Sequence, residues 1–261
     1  MHKLKILLML AVSVFFLAGC EPHSEAGSET KRAEEVPTAD LVKQADALFA
    51  QRADVAKLRQ AVSFVSQARN PDQRNFEVEW KFAKYSYFLS KQTTDEKESA
   101  RILQDGYTAG LIASRLDPAK PEGYFWAGAN LGEQSRRNPL TVGISSVDEI
   151  RQLMNKVVEL EPAFQSASAF DALGQLELAT RLTGGSAARA VEYLEKGIEY
   201  EKQNSYLRLH LAEAYLALDK KTEAKKQLDH IFQMKEKPEY AVEHREVLEK
   251  AKKLLSSRFN N

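Results

Sequence analysis

The stretch Ser205 to Phe232, SYLRLHLAEAYLALDKKTEAKKQLDHIF, decides the fold. Its apolar residues return at a helical period, with Leu211, Ala212 and Tyr215 before the polar Asp219-Lys220 and Ala224 and Leu228 after it. That spacing places them on one face of each of two helices joined by a short turn. The pattern also repeats. Ala190 to Ala224, Leu194 to Leu228 and Ile198 to Phe232 are each 34 residues apart.

Outward from this unit, eight prolines punctuate the chain at 22, 37, 71, 118, 121, 139, 162 and 238. Proline is excluded from helix interiors and tolerated in the first turn, so these positions bound helices. The segments between them predict eleven helices over 38–51, 53–69, 73–91, 95–116, 121–136, 147–160, 166–183, 187–201, 205–218, 221–235 and 239–257, with no strand pattern. Thr93 with Glu96 and Ser146 with Glu149 fit the capping box. Gly184-Gly185-Ser186 fits a helix end followed by a cap. Composition agrees, since Gly 12 and Pro 8 make 20 of 261 residues, below the background of about 12%. The fold class expected is all-α, a solenoid of antiparallel helix pairs.

The offsets of Leu211-Ala212, Tyr215, Ala224 and Leu228 resemble those of a tetratricopeptide repeat. Leu173-Gly174 repeats a dipeptide of that motif, while Leu116-Asp117-Pro118 and Leu160-Glu161-Pro162 resemble its closing turn. The match is clear over 166–235, looser over 94–162 and weak before residue 90. A second resemblance rests on Gly123-Tyr124-Phe125-Trp126-Ala127-Gly128-Ala129-Asn130-Leu131-Gly132, Arg137 to Gly143 and Val147-Asp148-Glu149-Ile150. These are similar to the T-component lipoproteins associated with TRAP transporters. That likeness implies a lipid-anchored periplasmic helical-repeat protein that partners a solute-binding protein. It spans about 95 to 235, and residues 38–91 have no matched counterpart in it.

The N-terminus carries Lys3 and Lys5, an apolar run from Ile6 to Ala18, and Leu17-Ala18-Gly19-Cys20. A basic start, a short apolar core and a small-residue exit describe a secretory signal. A bilayer-spanning helix needs about 20 apolar residues, more than this run offers. Leu-Ala-Gly-Cys resembles the bacterial lipobox, which implies cleavage before Cys20 and its acylation, palmitate among the chains. An ordinary buried cysteine behind an uncleaved anchor is the alternative. Each buried methylene contributes about 0.8 kcal/mol, so several chains hold a domain at a membrane. Glu21, in place of an aspartate, points to the outer membrane rather than the inner. Residues 21–36 are almost free of large apolar side chains and predict a flexible tether. The domains expected are a signal peptide at 1–19, a tether at 20–36 and the helical-repeat domain at 37–261.

Two helices raise the question of a binding surface. On 73–91, Val78, Phe82, Tyr85 and Leu89 share one face, and Phe76, Trp80, Ala83 and Tyr87 share the opposite one. Two apolar stripes fit a helix sandwiched between neighbours, or one whose second stripe lines a concave groove. Trp80, Tyr85 and Tyr87 suit the groove role because each joins an apolar body to a polar tip. On 121–136, Phe125, Gly128, Ala129 and Gly132 form a small-residue face suited to close packing, Tyr124, Ala127 and Leu131 a second face, and Trp126 with Asn130 a third direction. The pair Trp126 and Asn130 fits a ligand contact or a support for a helix end. The insertion 138–145 predicts a loop carrying Leu140, Val142 and Ile144, apolar side chains that ask for cover from the groove, a sister subunit or a partner.

Chemistry-bearing patterns are sparse. Lys plus Arg and Asp plus Glu balance at 37 each, which disfavours a nucleic-acid partner relying on a basic surface. Cys20 is the only cysteine, and His210, His230 and His244 form no His-Glu-x-x-His motif. No metal, cofactor or catalytic residue is expected. The function expected is non-enzymatic: a lipid-anchored periplasmic repeat protein that binds a partner protein or an apolar ligand, as an accessory of TRAP-type uptake. A generic envelope-assembly scaffold is the alternative, an envelope enzyme the least supported, and a homo-oligomer is left open.

Overall fold

The computed structural model describes residues 36–235 and 238–259, apart from the side chains of Thr141, Ile144 and Glu239. Cys20, the signal segment and most of the tether lie outside the described residues. Among the described residues eleven α-helices follow in chain order: α1 Thr38–Phe49, α2 Val55–Gln67, α3 Phe76–Gln92, α4 Glu96–Leu116, α5 Pro121–Arg137, α6 Ile144–Leu160, α7 Phe164–Ala179, α8 Ala187–Tyr200, α9 Ser205–Ala217, α10 Lys221–Gln233 and α11 Ala241–Phe259. No strand occurs among the described residues. Chain neighbours pack as antiparallel pairs, and α3, α5, α7, α9 and α11 also contact one another in succession. Those odd-numbered helices therefore form one layer and the even-numbered ones the other, as in a tetratricopeptide solenoid.

Short polar side chains set five of the eleven starts. Asp54, Asn75, Asp95, Ser186 and Asn204 each accept hydrogen bonds from two backbone amides of the following turn. These caps relieve the otherwise unpaired amides of a helix start. They also correct two expectations. Asp95, not Thr93, caps α4, and the Thr93 hydroxyl instead donates to Glu98. Ser146 lies inside α6, because a π-helical turn over Pro139–Gly143 runs straight into Ile144. The expected loop at 138–145 is thus helical.

Most repeat positions are core, while Phe232, which stands 34 residues after Ile198, is exposed. Ala190, Leu194, Ala212, Ala224 and Leu228 are fully buried, and Leu173 and Leu211 nearly so. One apolar cluster runs from α1 to α7 and a second from α7 to α11. They meet at α7, whose first turn holds Gln165, Ser166 and Ala167 at φ 46°, 58° and 61°. Left-handed backbone costs roughly 1–2 kcal/mol per residue, so neighbours must hold it. The Asn204 amide does so by donating to the Ser166 carbonyl at 2.8 Å.

The small residues of α5 divide differently from the expected faces. Gly110 of α4 lets the helices approach so closely that an added Cβ would lie 2.5 Å from the Ala127 backbone, and one on Gly123 would lie 2.3 Å from that of Ser114. Close packing therefore falls on the Gly123–Ala127–Asn130 side. On the Phe125, Gly128, Ala129 and Gly132 face, Gly128 packs against α6, where an added Cβ would lie 2.6 Å from the Met154 methyl, while a Cβ on Gly132 would have nothing within 4 Å.

Candidate binding groove

The inner layer encloses a groove of about 1140 Å3, lined by α3, α5, the π-helical turn, α6, α7, α9 and α11. Its wall has two chemistries. Toward the N-terminal repeats it is aromatic and apolar. Phe125 meets Trp126 edge-on at 4.9 Å between ring centroids, and Tyr87 and Phe88 lie 5.9 and 6.0 Å from the same indole. Met154 and Ala129 continue this surface. Aromatic contacts of this geometry each add about 0.5–1.5 kcal/mol beyond area burial, so the floor is preformed.

Toward the C-terminal repeats the wall is polar and internally paired. The Asp171 carboxylate lies 2.6 Å from His210 Nδ1 and accepts from Gln175 Nε2 at 2.7 Å. Both members of the pair are over nine-tenths buried. Tyr206 stacks on the imidazole at 5.8 Å and donates its hydroxyl to Glu246 at 2.7 Å. Lys250 reaches the other Glu246 oxygen at 2.6 Å. Burial pushes the His210 imidazole down, and the charge and hydrogen bond of Asp171 more than reverse this, leaving it above its ordinary value. Burial likewise opposes ionisation of Glu246, yet Lys250 and Tyr206 hold it below the usual carboxylate range. Burial and then Glu246 raise the Tyr206 phenol.

The mouth carries exposed apolar side chains, Leu140 at 86% and Leu182 at 100% exposure. At one end, Arg52 in the turn after α1 donates to both carboxylate oxygens of Glu243 on α11, at 3.2 and 3.3 Å. Lys91 of α3 adds a 3.8 Å pair with Glu246. The last helix is thereby linked to the first repeats.

The residues singled out in the sequence fall in three places. Tyr87, Trp126 and Leu140 line the groove together. Tyr85 is buried away from it, donating to Asp46 and stacking on Phe49 at 4.3 Å. Asn130 is buried too, its amide donating to the carbonyls of Ala83 at 2.9 Å and Trp126 at 2.7 Å. Trp80, Tyr124 and Val142 are half-buried against the first core cluster. The Ile144 side chain and Cys20 are outside the described residues. No sequence motif marks Asp171, His210, Tyr206 and Glu246 as site residues, nor Phe88, Met154 and Leu182. Asp171 and His210 are 39 residues apart and share no local motif. Among the described residues no group of three or more His, Cys, Asp or Glu is placed to hold a metal ion, and no helix is long and apolar enough to cross a membrane.

The family described as RMD1-3, regulator of microtubule dynamics protein 1-3, matches residues 41–258, and the chain belongs to that family. No curated protein matches it. Among solved structures it is similar to TTC0263, a thermophilic TPR protein in Thermus thermophilus, at 15% identity over 81% of this chain and 99% of that one, with a TM-score of 0.59. It is also similar to Pseudomonas aeruginosa PilF, at 15% identity over 86% and 92% with a TM-score of 0.52. MamA from residue 41 to its end, of Desulfovibrio magneticus RS-1, matches at 14% identity over 76% and 97% with a TM-score of 0.51. These likenesses show the tetratricopeptide-like fold.

Proposed function

We propose that this family member is a non-enzymatic scaffold that holds a segment of a partner protein in the groove of its inner layer. The observation that carries this is a preformed aromatic floor, Phe88, Phe125 and Trp126, opening to solvent between exposed Leu140 and Leu182. Apolar surface of that kind on a helical-repeat protein is a contact surface. A polar segment of the partner would meet the far wall, where Tyr206, His210 and Lys250 are held by their own counter-charges.

In this proposal Cys20 is the lipid-bearing residue, residues 1–19 are removed and 20–36 form the tether, placing the domain 37–261 on the periplasmic side of the bacterial envelope, at the outer membrane. The partner is an envelope protein, with a periplasmic solute-binding protein of TRAP-type uptake favoured by the likeness at 123–132 and 137–143. The family description, regulation of microtubule dynamics, also names an effect exerted on a protein assembly.

A photoreactive amino acid at Leu140 or Leu182, activated in intact envelopes, tests the central claim. One discrete protein adduct at both positions, identified by mass spectrometry and absent with the label at Lys226 on α10, is expected. Adducts of lipid alone at both positions would remove the protein-partner reading. Palmitate labelling of the chain and of its Cys20→Ser variant tests the anchor, which fails if labelling is unchanged.

A further inference from the structure

Most cations around the groove have a carboxylate. Arg136 and Arg137 have Glu133, Lys91 and Lys250 have Glu246, and Lys81 has Asp46 and Glu77. Lys84 differs. Half-buried on α3, its amine makes no ion pair or hydrogen bond among the described residues and is surrounded by rings instead, Phe49 at 4.9 Å, Trp126 at 5.7 Å and Trp80 at 5.9 Å. Burial pushes the amine below its ordinary value, and the charge of Arg52 pushes the same way; Asp46 and Glu243 oppose this only in part. Ring faces attract a cation, yet they give it no acceptor for its three N–H groups.

The position connects this amine to the groove. Trp80, Lys84, Phe88 and Lys91 follow one another along one side of α3 at helical spacing, and Phe88 and Lys91 belong to the groove wall. Trp126 is shared, with its indole both forming the floor and lying against the Lys84 amine.

We propose that Lys84 is a carboxylate-binding subsite at the aromatic end of the groove, which takes an acidic group carried beside an aromatic or aliphatic side chain of the bound segment. This rests on the groove being a site for a protein segment. An arriving carboxylate supplies the missing counter-charge and accepts from the ammonium, a charge-assisted hydrogen bond that is roughly twice as strong as a neutral one. Its apolar neighbour covers Trp126 and Phe88. A basic residue at the same place meets Lys84 and Arg52 and is repelled.

Trp80 and Trp126 are the chain's only tryptophans and both flank Lys84, so tryptophan fluorescence, excited selectively over the tyrosines, reports on this place and the adjoining groove floor. The probes are 4-phenylbutyrate and its uncharged amide, titrated into the full chain. The acid is expected to bind about tenfold more tightly than the amide. Lysine NMR should show the Lys84 amine returning toward its ordinary value as the acid saturates, since an opposite charge favours the charged form. Lys84→Met should abolish the preference and leave amide affinity and helicity unchanged, while Lys84→Arg retains it. If the amide binds and the acid is no tighter, or if Lys84→Met keeps the preference, the subsite is refuted and the groove reading stands. If neither probe alters the fluorescence, the subsite is refuted, and the groove reading is decided separately by the crosslinks at Leu140 and Leu182.

Discussion

The two walls of the groove are built on equivalent helices and by opposite means. On α3 and α5 the wall is made of rings that are also core, so Trp126 is 3% exposed while forming the floor. On α7, α9 and α11 it is made of charges that satisfy one another, Asp171 with His210 and Glu246 with Tyr206 and Lys250. The inner layer of a helical repeat thus fixes where a side chain points and leaves its chemistry free. The first wall gains stability from contact area, the second from complete pairing, and the two fail differently.

Trp126→Ala should cost most, about 3–5 kcal/mol by urea denaturation, because it removes a buried ring from an aromatic cluster. A loss under 1 kcal/mol would mean that the indole belongs to the groove and not to the core, which sharpens the contrast between the walls. Asp171→Ala comes next, at about 2–4 kcal/mol, since it leaves His210 buried beside no acceptor. A neutral outcome there would break the claim that the second wall depends on pairing.

A smaller effect is the pH dependence. His210 is raised in the fold, so its contribution is fully present below its unfolded value of about 6.5 and is lost as pH rises through the folded value. Denaturation midpoints measured from pH 5 to 9 should fall over that window, and His210→Gln should flatten the fall. Smallest of all, Leu140→Ser and Leu182→Ser should change stability by less than about 0.5 kcal/mol, as expected for exposed positions, while weakening partner capture in the envelope. A large loss of stability would place these leucines in packing rather than at a mouth.

The fold was legible because its signals are local. The 34-residue offsets of Ala190, Leu194, Ala224 and Leu228, together with prolines at the turns, define helix pairs without any knowledge of distant contacts. The aromatic wall was half legible, since Tyr87 stands on a stripe that period alone reveals and Trp126 stands out as an indole off both faces of its helix. The rotation of α5 was not. Its glycines look equally suited to close packing, and only the neighbours Gly110 and Ser114 on α4 decide that Gly123 packs while Gly132 faces open space. The polar wall was invisible because Asp171 and His210 become neighbours only when α7 and α9 lie side by side.

One consequence concerns the bridge between Arg52 and Glu243, at 17% and 21% side-chain exposure. A spiral of repeats is ordinarily a spring with free ends; here a clasp joins its last coil to its first. Because both side chains are mostly buried, salt screens this clasp far less than it would an exposed pair. A visitor therefore meets an opening whose two ends are tied to each other and not only to their chain neighbours.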